Sequence, residues 1–320
     1  MQYKWSGNVN IVMTKAKTLT VVIPVYNRAD IVGRTLQCLS EQDTRDFALI
    51  LVDNNSQDDS LKVLQTWKNE NPDIDCTILT EKKPGAAAAR NCGLRNVTTE
   101  YVLFFDSDDV MFPEHISSAI RLLKINPNVD ILGWDINIQL SSGKYKKGRF
   151  YVKNPLVNHL IFSSISTQRF AVKTSFINSV GGWNEMVRLW DDYELGVRLL
   201  LAKPIILKRK GNIAVTTYFS EESLTSHTFL DNKENWEYPL NLISCHLKRS
   251  SGSVLPWVGY RKAILAAEYL SEGSCIDAER LMNEISESGL NKRLAKLIFL
   301  CHKIFKRFSW IFPYLFLKKM

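Results

Sequence analysis

The run Tyr101-Val102-Leu103-Phe104-Phe105 is apolar at every position and breaks off in Asp106-Ser107-Asp108-Asp109. Apolar residues without alternation describe a strand buried on both faces, as in a parallel sheet covered by helices on each side. The chain must then supply both covering layers, which points to an open α/β architecture. Such sheets bind ligands at the carboxyl ends of their strands, and here that end is acidic. Asp106 and Asp108, separated by the small Ser107, can turn toward one divalent cation; Mn²⁺ or Mg²⁺ takes hard oxygen ligands and bridges phosphates. An acidic turn without a ligand reads the same over four residues, so the flanking segments decide.

Those segments alternate. Thr18 to Val25 is β-branched and apolar, with Pro24 marking a strand that is ending. A turn at Tyr26-Asn27-Arg28 leads to a helix face of Ile31, Leu36 and Leu39, then to a strand over Phe47 to Val52 that runs into Asp53-Asn54-Asn55-Ser56. Asp58 and Asp59 suit the opening of the next helix. A short strand around Cys76 to Leu79 precedes Lys83-Pro84-Gly85 and the helix of Ala86 to Ala89. Its small side chains permit close approach, and Arg90 is expected to project from it. The pattern predicts a Rossmann-like half over residues 18–125.

Past Pro113 a helix to about Lys124 ends the regular alternation. Strands are predicted over Val129 to Leu140 and Gln168 to Val172, with a turn at Ser141-Ser142-Gly143-Lys144. Gly181-Gly182-Trp183-Asn184-Glu185 reads as a flexible loop presenting an aromatic ring. In Trp190-Asp191-Asp192 and the residues after it, Tyr193, Val197, Leu200 and Leu201 trace one helix stripe. Asp191 and Glu194 have capping-box spacing, which would make Asp191 the cap and leave Asp192 ionised in the first turn. Strands near Ile205 to Leu207 and Ile213 to Phe219 complete a mixed-sheet half over 126–225. From Glu234 the pattern is helical, with paired helices over 257–272 and 276–288 joined near Gly273.

Charge places a second constraint. The net charge of +8 resides in residues 291–320, which hold eight Lys or Arg and no acid, so the rest is balanced at 33 against 33. The body therefore carries no general signature of nucleic-acid binding. In the tail, bases interleave with Leu297, Ile298, Phe299, Leu300, Ile304, Phe305 and Phe308, and the apolar run Phe308 to Leu317 is ten residues long. That is half of the roughly 20 a spanning helix needs, so the tail is expected to lie in a membrane interface. Six scattered cysteines without metal-like spacing read as free thiols in a reducing compartment. No signal-peptide pattern opens the chain, and Met13 is a candidate start that would make residues 1–12 dispensable. A cytoplasmic protein, peripheral on the inner face of the cytoplasmic membrane, is expected.

In order along the chain, Thr20 to Asn27, Val52 to Ser56, Gly85 through Arg90-Asn91-Cys92-Gly93, Phe105 to Asp109, Gly181 to Glu185 and Trp190-Asp191-Asp192 resemble the motifs of family 2 glycosyltransferases. The likeness covers residues 18–225 and implies a GT-A fold with the helical region 234–320 as an extension. It also implies site roles. Pro24, Val25, Tyr26 and Arg28 would line a nucleotide pocket, Asp53 would bond the base, and Arg90 would hold the nucleotide. Asp106 would contact ribose or metal, and Asp108 would ligate Mn²⁺ or Mg²⁺. Trp183 and Asp191 would meet the acceptor, a glycan or lipid-linked glycan. Asp192 would be the base of a single displacement from a nucleoside diphosphate sugar, which predicts inversion.

Two departures from the family pattern stand out. Asp191-Asp192 occupies a position that is often Glu-Asp in the family, and no His is in register after Tyr218, His227 being the nearest. Transfer to polyprenyl phosphate remains an alternative, since a phosphate acceptor needs no strong base. So does a non-catalytic sugar-nucleotide-binding protein, although Asp106, Asp108 and Asp192 are all retained. A nucleotidyltransferase is disfavoured because no Gly-rich phosphate loop follows the first strand.

Overall fold

The computed structural model describes residues 17–218, 228–250, 252–285 and 292–305. The alternating half is built as expected: β1 (Leu19–Val25), α1 (Val32–Ser40), β2 (Phe47–Asp53), α2 (Ser60–Glu70), β3 (Asp75–Thr80), α3 (Ala86–Arg95) and β4 (Tyr101–Phe104). These four strands run parallel, and all four residues of β4 are buried. β1 is a central strand, between β4 and β2. It tolerates Pro24 because β4 pairs only as far as Val22, whose carbonyl accepts the Phe105 N–H at 3.0 Å. Alternate residues face the same neighbour, so the missing N–H of Pro24 falls where that neighbour has ended.

The second half departs from alternation. β5 (Val110–Met111) and α4 (His115–Ile125) are followed by β6 (Ile131–Gly133), β7 (Ile136–Gln139), β8 (Tyr145–Gly148), α5 (Pro155–Phe162), β9 (Phe170–Lys173), α6 (Thr174–Ser179), α7 (Asp191–Leu201), β10 (Ile206–Lys208) and β11 (Val215–Thr217). The main sheet has the order β10-β6-β9-β4-β1-β2-β3, with β9 antiparallel to both neighbours. A smaller sheet, β5-β11-β7-β8, stands beside it. The single strand expected over 129–140 is in fact two strands in two sheets. The chain crosses between them at Trp134, whose indole N–H donates to the Gln168 carbonyl at 2.8 Å, and at Asp135, which pairs with Lys208 and Lys147.

The C-terminal helices α8 (Lys233–Ser250), α9 (Pro256–Ser271), α10 (Cys275–Glu284) and α11 (Lys292–Phe305) pack on α7 and α5. Leu195, Leu199 and Leu200 of α7 join the core under the main sheet, while Tyr193 and Val197 join Trp236, Leu240, Val258 and Tyr269. α7 is thus buried on two faces, more than one stripe implies. In α11, Ala295 and Ile298 are buried beside Tyr260 and Ala263, whereas Leu297 and Leu300 are exposed. The remainder of the tail, residues 306–320, lies outside the described residues, as do residues 1–16 and 219–227 with His227. No helix among the described residues is long and apolar enough to cross a membrane.

Candidate active site

The parallel strands bring the motif residues to one edge. Val25, Asp53 and Phe104 end β1, β2 and β4, and the turns that follow carry the polar groups. Asn27 takes a left-handed conformation with φ 49°, which turns the chain so that the Arg28 N–H meets Ser60 Oγ at 2.7 Å. Tyr26 is left 54% exposed at the rim. Asp53 is 3% exposed; its Oδ2 accepts the Ser56 N–H at 3.3 Å, while its buried Oδ1 has no partner among the described residues. A buried acceptor without a donor is costly, so Oδ1 fits a ligand N–H. Asp58 is a local brace: its carboxylate accepts from the N–H groups of Ser60 and Ala29.

Arg90 does not project into solvent. It is 5% exposed, donating Nη1 to Asp191 at 2.6 Å and Nη2 to Asp106 at 2.7 Å. Burial alone would lower its pKa, but the carboxylates of Asp191 and Asp106 hold the guanidinium charged. Asp106 also accepts a short hydrogen bond from Gln168, so both its oxygens are engaged. Gln168 lies in no motif, and only its place before β9 put it here.

Trp183 corrects an expectation. Rather than being presented on a loop, its ring is 2% exposed, packed edge-on to Phe104 and 4.5 Å beneath the Arg90 guanidinium. Asn91 clamps its backbone, accepting the Trp183 N–H and donating to its carbonyl, both at 2.9 Å. The ring is therefore a support for Arg90 and not an exposed acceptor platform.

The capping box is also absent. Trp190 stands at the N-cap with φ 57°, Asp191 is the first helical residue, and Glu194 is buried in a bidentate pair with Arg198 at 2.7 Å. Arg198 Nη1 reaches the carbonyls of Val180 and Gly182, tying α7 to the glycine loop. A second anchor is His159, whose Nδ1 accepts the Ile165 N–H, so that Nε2 donates to the Tyr193 carbonyl at 2.9 Å. Burial lowers the pKa of His159 to about 3 and keeps it neutral. Gly196 makes room for this ring, since a Cβ there would stand 2.3 Å from Nε2.

On this fixed helix the two acidic residues differ. Asp191 is pinned by Arg90, and burial raises its pKa more than Arg90 lowers it. Asp192 makes no ion pair among the described residues, and only the Tyr193 backbone N–H favours its charged form by hydrogen bonding; burial, then the neighbouring Asp191 charge, raises its pKa to about 7. The helix dipole therefore does not hold it as a strong acid's anion. Asp108 is half-buried, and its pKa is raised by burial and by Asp106. Asp109 is raised further by the same causes and accepts the Tyr218 N–H at 2.9 Å, tying the acidic turn to the end of β11.

Asp106, Asp108 and Asp109 share a cleft of about 240 Å³ with Gln168, Arg169 and Tyr218. Among the described residues no three acidic, His or Cys side chains converge as a cation cage. A Mg²⁺ or Mn²⁺ ion needs only one or two carboxylates when phosphate oxygens complete its shell. Asp108 fits that part: it makes no ion pair among the described residues, and a cation would offset the burial and the Asp106 charge that raise its pKa. Asp106 is already committed to Arg90 and Gln168 and is less available as a ligand.

A mostly parallel main sheet with acidic turns at its carboxyl edge and a second, smaller sheet lining the cleft is a GT-A type architecture. The chain belongs to glycosyl transferase family 2, whose family model matches residues 20–183, and it is a glycosyltransferase. It is 26% identical over 235 residues to an uncharacterized glycosyltransferase of Haemophilus influenzae, covering 69% of this chain and 75% of that one. To the minor teichoic acid biosynthesis protein GgaA of Bacillus subtilis it is 25% identical over 238 residues, 69% of this chain but only 52% of the relative. The solved structure of S. aureus TarS 1-349 with UDP-GlcNAc superposes with a TM-score of 0.69 at 16% identity, covering 93% of this chain and 89% of that one. Mannosyltransferase PcManGT of Pyrobaculum calidifontis, solved with GDP-Man and Mn²⁺, gives 0.54 at 17% identity over 92% and 89%.

Proposed function

We propose that the protein transfers a sugar from a nucleoside diphosphate sugar to a hydroxyl of a glycan, with inversion, in the synthesis of a surface polysaccharide. The observation that carries the reading is the fork of Arg90, which draws the acidic turn after β4 and the start of α7 together. Asp53 Oδ1 accepts from the donor base, and the turn at Tyr26 to Arg28 walls the nucleotide. Asp108 would hold Mn²⁺ or Mg²⁺, which would supply neutralising charge to the diphosphate leaving group. Asp192 takes the proton of the acceptor hydroxyl. The oxygen then bonds to the anomeric carbon as the bond to the diphosphate oxygen breaks on the opposite face. Asp191, held by Arg90, orients that helix end and cannot easily serve as a second base.

The named ligands of the TarS and PcManGT structures support a nucleotide sugar donor and a divalent ion, and the GgaA likeness supports a polymeric cell-surface acceptor. Residues 291–320 would hold the enzyme at an anionic cytoplasmic leaflet beside a lipid-linked acceptor. The test is transfer measured across a panel of nucleotide sugars with Mn²⁺, Mg²⁺ or chelator, with the product anomer read by NMR. A retained anomeric configuration, or no turnover with any donor, would sink the reading. Unaltered transfer by Asp192→Asn would favour a phosphate acceptor such as polyprenyl phosphate.

A further inference from the structure

A second cleft, of about 460 Å³, opens between α4 and the connection from β10 to β11. Ala214 lines it, whereas Tyr218 lines the catalytic cleft, so the two sites sit at opposite ends of β11. Four strand steps put them roughly 13 Å apart. Ser118, Arg121, Arg209 and Lys210 contribute the polar lining, and Leu122 and Leu207 the apolar part.

Arg209 decides what the cleft can hold. It is 9% exposed, and its Nη1 meets Ser118 Oγ at 2.8 Å and His115 Nδ1 at 3.0 Å, both neutral. His115 stays neutral because burial, and next the Arg209 charge, lower its pKa well below the ordinary value. The Arg209 guanidinium lies 5.6 Å from the Trp134 ring centroid, but among the described residues it makes no ion pair and its buried Nη2 has no acceptor. Buried arginines are normally paired, since an uncompensated charge away from water is expensive. Glu114 is the single acid of the lining; its charge acts on Arg209 without an ion pair, and it is outnumbered there by Arg121, Lys208, Arg209 and Lys210. Lys208 is satisfied by Asp135 at 2.7 Å, but Arg121 and Lys210 stand exposed at the mouth without ion pairs among the described residues.

We propose that this cleft is a phosphate-binding site, with Arg209 at its floor and Arg121 and Lys210 at its mouth. A tetrahedral oxyanion offers acceptor oxygens in several directions, which suits three cationic groups from α4 and the β10–β11 connection better than a planar carboxylate does. The volume exceeds one phosphate, leaving Leu122 and Leu207 to cover the organic part of an ester. Inorganic phosphate and the headgroup of an anionic lipid share this chemistry.

Two assays on the full chain separate these sources. Equilibrium dialysis with labelled inorganic phosphate is run in chelator, so that cation-dependent binding at Asp108 does not contribute, and flotation is run with phosphatidylglycerol vesicles. Wild type and Asp108→Ala should bind phosphate alike. The double variant Arg121→Glu, Lys210→Glu changes only exposed side chains and should bind about tenfold more weakly; Arg209→Gln should do the same. Phosphate binding lost in the double variant, with flotation unchanged, assigns a soluble phosphate. Flotation that falls in the double variant and is competed by phosphate assigns a headgroup. If wild type binds neither probe, or the double variant matches wild type in both assays, the proposal is wrong.

Discussion

Arg90 and Asp191 lie 101 positions apart in the chain and 2.6 Å apart in the fold. The same guanidinium reaches Asp106 at 2.7 Å, so one buried cation sets the separation of the two acidic segments. Removing it strands two carboxylates in a poorly solvated site, which typically costs about 3–5 kcal/mol. Arg90→Ala is therefore expected to lower the urea midpoint at pH 8. The deficit should shrink near pH 4, where the carboxylates can take up protons. A loss independent of pH would show that Arg90 contributes packing on Trp183 and little charge.

Asp192 is expected to give the pH dependence. With its pKa raised to about 7, the base form is lost below neutrality, so log kcat/KM should fall with unit slope below about pH 7 and level off above it. Asp192→Asn should reduce kcat by about 10² to 10⁴ while leaving nucleotide binding nearly intact. Stability carries the opposite sign from an ordinary salt-bridged Asp. A carboxyl raised in the folded state favours folding below its unfolded pKa and loses that contribution as pH rises through the folded value. Asp192→Asn should thus raise Tm at pH 8 and leave it nearly unchanged near pH 3; an acidic limb at pH 4 in the wild-type rate profile would contradict both expectations.

Asp108→Ala should weaken nucleoside diphosphate binding in the presence of Mn²⁺ and turnover together, by about tenfold or more. Calorimetry with and without chelator checks it. Equal binding loss in Asp108→Ala and Asp192→Asn would undo the division of roles between them.

Gly196→Ala opposes two effects. Replacing a mid-helix glycine gains roughly 1 kcal/mol, while overpacking a core costs about 1–3. Here the added Cβ would press on a ring held by two hydrogen bonds, so overpacking should win. A net loss of stability accompanied by reduced kcat is expected, measured by chemical denaturation and steady-state kinetics. A more stable, fully active variant would show that the His159 ring yields.

Deleting residues 291–320 should release the protein from anionic liposomes while nucleotide binding survives, and salt should weaken attachment of the intact chain. Part of α11 is already used in packing on α9, so some loss of thermal stability is expected as well. A truncated protein that still floats as well as the intact one would assign attachment elsewhere.

Much of this was legible beforehand because the nucleotide half obeys local rules. Each strand of β1 to β4 ends in a polar turn, and period and turn chemistry report both. What escaped is set by distant contacts. Nothing near Gln168 announces that it will bond Asp106, and nothing in Asn91 says that it will clamp Trp183. Asp191 and Glu194 had the spacing of a cap, but Arg198 competed successfully for the glutamate. Over 129–140 β6 is apolar throughout while β7 alternates as Ile-Asn-Ile-Gln, and both periods suit a strand, so the crossing at Trp134 and Asp135 that divides the stretch between sheets is set by their distant partners.

The family match ends at Trp183, before α7 begins. Because α7 is wedged between the sheet core and α8 and α9, it has no soft direction in which to tilt. The C-terminal helices act as a backing plate that sets the aim of Asp192. Trimming the protein after β11 would not yield a smaller working module. Tyr193 and Val197 would face water, and the carboxylate pair would lose its alignment with the sheet edge. A graft of another relative's C-terminal helices onto this sheet would turn Asp192 relative to the strand ends while leaving the turns after β1, β2 and β4 where they are.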